Sequence, residues 1–190
     1  MGSITSLSIQ SNNPKRKYRR VEQTLFEACI FAMLGTLMFT SKVIMEVLPN
    51  IHLLGMLTML YTVVFRVKAL IPIYIYVLIN GVYAGFDPWW FPYTYVWTVL
   101  WGITMLIPKK IPPKAAAVVY PIVCSLHGFA FGLLYAPGQA LMFGFNLTQT
   151  LTWIATGASF DILHGISNIF TGMLVLPLSG VLKRLLKRSF

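Results

Sequence analysis

Lys42 and Glu46 stand four residues apart in an otherwise apolar stretch. That spacing puts both on one helical face, within ion-pairing reach. The pair can be a salt bridge near a membrane interface, with the lysine stem snorkelling outward, or it can meet the charge of a ligand. His127 and His164 each sit in a Leu-His-Gly triplet, Leu126-His127-Gly128 and Leu163-His164-Gly165, inside apolar segments. Such histidines serve as interhelical hydrogen-bonding groups or contact a ligand. No third metal ligand stands at a telling spacing. Asn80, Tyr83, Asp161 and Asn168 add polarity near segment ends, and Asn146, Gln149 and Trp153 fall in a further apolar stretch. Polar groups in such surroundings are costly and are kept for packing or function. Trp89 and Trp90 belong to the loop Asp87-Pro88-Trp89-Trp90-Phe91-Pro92, which suits an interfacial belt or a stacking wall for a flat organic ligand.

This chemistry is that of reversible binding. The sequence has no Gly-x-x-x-x-Gly-Lys-[Ser/Thr] loop for ATP, no His-Glu-x-x-His and no Gly-x-Ser-x-Gly. Its 5 acidic residues, Glu22, Glu27, Glu46, Asp87 and Asp161, form no paired catalytic set. The expectation is a protein that is not an enzyme, with no catalytic residue, metal or resident cofactor. Cys29 and Cys124 lie in apolar segments and read as small buried hydrophobes rather than a disulfide framework.

The elements that must position these residues are membrane helices. Of 190 residues, 57% are hydrophobic and 11% charged, against about 25% charged in soluble domains. The net charge of +10 is gathered in the N-terminal arm, at Arg66 and Lys68, between Lys109 and Lys114, and in the tail. This distribution marks cytoplasmic loops rather than nucleic-acid binding. Apolar segments run over about 25–48, 51–65, 69–86, 93–107, 115–136 and 160–182. Residues 139–157 are apolar but carry Asn146, Thr148, Gln149 and Thr150. Counting them as a seventh span would put the basic tail outside. They read as an outer or re-entrant segment, after a fifth helix that stops at Pro137-Gly138. The expected fold is all-α and polytopic, with six transmembrane helices, both termini cytoplasmic and a long ordered outer segment between helices five and six. Residues 1–20 form a basic cytoplasmic arm, and 21–190 form one transmembrane domain.

Thr24, Ala28, Ala32 and Gly35 or Thr36 recur at about four-residue spacing in the first span. This is a small-residue stripe that admits another helix closely, either within the chain or from a partner. On this stripe, with Ala28-Cys29-Ile30-Phe31-Ala32 as its Ala-x-x-x-Ala motif, and on its size and topology, the chain resembles the substrate-binding S-components of energy-coupling factor (ECF) transporters. These are vitamin-uptake ABC systems of prokaryotic cell membranes. The likeness of architecture covers about residues 20–188. It implies capture of a vitamin from outside, then docking through Ala28 and Ala32 on a transmembrane coupling subunit that works with two cytosolic ATPases. The chain looks most like the cobalamin-type branch, with pantothenate or a queuosine precursor as other cargoes. Mapped onto this chain, the resemblance and the depth of each residue favour a ligand site drawn from Lys42, Glu46, Asn80, Tyr83, Trp89, Trp90, Asn146, Gln149, Trp153, Asp161, His164 and Asn168. The competing classes are an autonomous secondary carrier, which would show repeated halves, and an intramembrane enzyme or assembly factor.

Overall fold

A computed structural model describes residues 14–48 and 51–189. Most of the N-terminal arm and the expected Pro49-Asn50 turn lie outside them. Among the described residues the fold is helical, with no strand. The helices are α1 (Pro14–Ile44), α2 (Leu54–Phe65), α3 (Leu70–Ala84), α4 (Tyr93–Leu106), α5 (Pro113–Phe129), α6 (Phe131–Phe143), α7 (Leu147–Gly172) and α8 (Val175–Ser189). A 3-10 turn, Arg66–Ala69, joins α2 to α3. Helix α1 starts at Pro14, inside the expected arm.

Three helical runs are long and apolar enough to cross a bilayer: Val21–Ile44, Leu54–Ala84 and Pro113–Phe143. A fourth is possible if α7 and α8, bent by 48°, are taken together. Large apolar side chains such as Met33, Leu78, Val82, Leu106, Leu133 and Phe170 are exposed. A lipid phase would cover such a surface, whereas water would not tolerate so much of it.

Length alone makes Leu54–Ala84 one crossing, but its contacts with α1 show that it doubles back. Tyr61 donates to the Leu34 carbonyl, the Phe65 ring lies 5.2 Å from Phe31, and Lys68 pairs with Glu27 at 2.6 Å. So α2 runs antiparallel to α1. Gly35 then packs on Pro72 and Ile75, and Phe39 lies 5.2 Å from Tyr83, so α3 runs parallel to α1. The reversal falls at Arg66, whose φ of 57° and ψ of −121° are rare for a side-chain-bearing residue. Its guanidinium donates to the carbonyls of Met105 and Ile107 at 2.7 and 3.3 Å, while the Trp101 indole donates to the Arg66 carbonyl at 3.1 Å. A cation on the free carbonyls at the end of α4 is favourable, and it holds the strained reversal in place. Residues 54–62 of α2 are buried without interruption, so this helix forms the centre of the bundle.

Helix α5 does not stop at Pro137-Gly138. After a break at Ala130 the chain re-enters helix and continues through Pro137 to Phe143. Proline removes one backbone donor and opens the next turn. The Tyr95 hydroxyl of α4 fills that opening, donating to the Leu134 carbonyl at 2.8 Å and accepting from the Gly138 N–H at 3.1 Å. Gly144, at φ 68°, ends α6 in the left-handed conformation. Asn146 then starts α7 with a reciprocal cap: its side chain accepts from the Gln149 N–H, and the Gln149 side chain accepts from the Asn146 N–H, both at 2.9 Å. Residues 139–157 are therefore the end of one helix, a tight tip and the start of another, rather than a separate outer segment.

Candidate functional site

Helices α5 and α6 lie antiparallel against α7. Ser125 donates to the Gly165 carbonyl at 2.9 Å, Asn168 donates to the Cys124 carbonyl at 3.2 Å, and Gly172 packs on Pro121. The two Leu-His-Gly triplets meet at this crossing. A Cβ on Gly128 would come within 2.9 Å of the Gly165 backbone, so glycine is what permits the approach. Each triplet thereby delivers its histidine to the protein interior.

There His127 and His164 join His52, which immediately precedes α2. The His52 and His164 rings lie 4.6 Å apart, with Trp97 6.3 Å from His52 and 5.8 Å from His127. Tyr76 lies 6.2 Å from Trp97, and Asn80 follows one turn along the same buried face of α3. His127 Nε2 is 3.2 Å from the Val96 carbonyl. Several other polar atoms of this group are buried and make no hydrogen bond within the chain. They are His52 Nδ1, His127 Nδ1, His164 Nε2, the Trp97 indole nitrogen, the Tyr76 hydroxyl and both Asn80 amide atoms. Native interiors leave few such atoms unpaired. Among the described residues, no three His, Cys, Asp or Glu side chains converge as metal ligands.

The cluster borders a cavity of about 240 Å³ between α4, α6 and α7, lined by Tyr93, Phe131, Gly132, Tyr135, Trp153, Gly157, Phe160 and Asp161. Phe131 connects the two, its ring 4.9 Å from His164 and 5.8 Å from Trp97. Tyr135 stacks between Phe131 and Trp153, at 5.7 and 6.0 Å, and its hydroxyl donates to the Trp89 carbonyl. Asp161 accepts from the Gly132 N–H at 3.0 Å.

Of the residues singled out in the sequence, Trp153 and Asp161 line the cavity, and His164 and Asn80 lie in the buried cluster. Lys42 and Glu46 form the expected pair at 3.1 Å. Asn168 is buried but spent on the helix crossing. The Trp90 indole donates to the Val77 carbonyl at 2.8 Å and fixes the loop before α4. Trp89 contributes its carbonyl to Tyr135 and packs its ring 5.8 Å from Tyr93, at the edge of the site. Tyr83 is exposed beside Phe39, and Asn146 and Gln149 cap α7 at an exposed tip. These three are not brought to the cavity. Tyr76, Phe131, Tyr135 and His52 are the additions, while Tyr93 and Trp97 belong to the aromatic stretch that starts at Trp89 and Trp90. The paired triplets on α5 and α7 are the sequence signal that leads to several of them. Ala28 and Ala32 are exposed on α1, as is Thr36, whereas Gly35 is buried against α3. The outward stripe therefore continues through Thr36.

No protein-family model, curated protein or solved structure matches this chain.

Proposed function

We propose that the chain is a membrane-embedded capture subunit, an S-component of an ECF-type ABC importer in a prokaryotic cell membrane. It binds a vitamin-like micronutrient from outside and passes it on after docking with a transmembrane coupling subunit and two cytosolic ATPases. The observation that carries this reading is the group of buried, internally unpaired polar atoms beside an aromatic-walled cavity. A concave, largely apolar site with a few convergent polar groups is what small-molecule binding requires.

The course of the chain supports six crossings: α1, α2, α3, α4, α5 with α6, and α7 with α8, alternating in direction. Both ends then fall on the side that carries most of the basic residues. Helices α2, α3 and α4 have 12, 15 and 14 residues, or roughly 18–23 Å at the α-helical rise, against a hydrocarbon core of about 30 Å. Short α2 is tolerable because protein surrounds it, so its ends need not meet lipid. The exposed Ala28, Ala32 and Thr36 offer a face on which a coupling subunit's helix could pack closely.

Cobalamin is the cargo that the resemblance favours. The cavity of about 240 Å³ lies below the ~300–1,000 Å³ usual for drug-sized ligands, so a corrinoid would enter it only in part. A smaller micronutrient would match its volume. Replacing Ala28 or Ala32 with tryptophan tests the assignment. Ligand retention should survive, while association with the coupling subunit and uptake are lost. Uptake by the purified chain alone in liposomes would make it an autonomous carrier instead.

A further inference from the structure

The lining of the cavity says more about the ligand than its volume does. We infer that it receives a singly charged organic cation, an ammonium group carried on a compact and largely apolar body. This rests on the capture reading for its biological sense, but the chemistry is independent of it. Tyr93, Phe131, Tyr135, Trp153 and Phe160 supply rings to the wall, and Asp161 is its one charged residue. The ion pairs among the described residues are Lys42–Glu46 and Lys68–Glu27, so Asp161 belongs to neither. Its Oδ1 accepts from the Gly132 N–H, and a Cβ at position 132 would overlap its carboxylate. The glycine thus makes room for the acid against α6.

A carboxylate partly withdrawn from water is costly without a compensating charge. Aromatic rings attract cations through their quadrupoles, most strongly when water is excluded. One ammonium group satisfies both demands. A neutral body of the same shape would leave the carboxylate uncompensated, and an anion would be repelled. The ammonium could come from a soluble micronutrient or from a lipid headgroup.

The test uses the full chain in phosphatidylglycerol nanodiscs, titrated with phenyltrimethylammonium, its neutral isostere tert-butylbenzene, and benzoate, with binding read by ligand-observed NMR. The expected result is that the cation binds about tenfold more tightly than the isostere and that benzoate does not bind. Asp161→Asn should abolish this preference with thermal unfolding unchanged, because the new amide oxygen still accepts from Gly132. Equal binding of cation and isostere, or a preference that survives Asp161→Asn, overturns the inference. Competition from added phosphatidylcholine would uphold the cation chemistry and assign it to a headgroup. Its absence would uphold it for a soluble ligand. Recovery of a neutral or acidic natural ligand such as pantothenate, displaced by Asp161→Asn, would overturn the inference and leave capture standing. An ammonium preference in a chain that never engages a coupling subunit would do the reverse.

Discussion

The two halves of the α5–α6 and α7 pair solve opposite problems with the same architecture. In one half, from Pro121 to Gly128 against Gly165 to Gly172, glycines bring the backbones together and the polar side chains Ser125 and Asn168 bond across the seam. In the other, from Gly132 toward the tip at Gly144, aromatic side chains hold the helices apart around a cavity that Asp161 also lines. The closed half fixes where His127 and His164 stand, and the open half holds the aromatic wall and Asp161. Precision in one is what permits space in the other.

Breaking the closed half should cost most. Gly128→Leu drives a side chain into the Gly165 backbone and should destabilise the fold by about 3 kcal/mol, seen as a lower unfolding midpoint in detergent. Asn168→Leu removes a donor from the buried Cys124 carbonyl and should cost about 2 kcal/mol in the same assay. In the open half, Trp153→Ala should leave stability nearly unchanged but weaken ligand binding about tenfold, measured by titration. At the tip, Asn146→Ala removes the cap and should cost about 1 kcal/mol. Gly157→Ala should be the mildest, since a Cβ there meets nothing within 4 Å. Improved helix propensity should offset any loss, within about 1 kcal/mol. If Gly128 and Gly157 tolerate substitution equally, the contrast between the halves fails.

Much of this was legible in the residues. The basic pair Arg66 and Lys68 marks the junction between the second and third segments, and the chain reverses there. The i, i+4 spacing of Lys42 and Glu46 produced the expected ion pair. The helical tip at 139–157 was harder to read. Pro137-Gly138 carries a local stop signal, and what overrides it is the Tyr95 hydroxyl, 43 residues away from Gly138 in sequence. Asn146 and Gln149 are polar in an apolar run, a pattern that a ligand site shares with a helix cap. Their three-residue spacing is also a helix-start signature. His52 stands just before α2, outside any helical periodicity, and only tertiary packing brings it within ring contact of His164. The aromatic wall is legible only in part: an aromatic membrane belt and an aromatic cavity lining have the same composition, and packing alone separates Tyr135 from Tyr83.

The most direct test of the capture role is native mass spectrometry of the gently purified chain, alone and with added cobalamin, beside the Trp153→Ala variant. The account predicts a small molecule retained at one per chain and depleted in the variant. Its mass would distinguish a corrinoid from a smaller cargo. A chain that carries no small molecule under any condition, with the variant indistinguishable from it, would contradict the account.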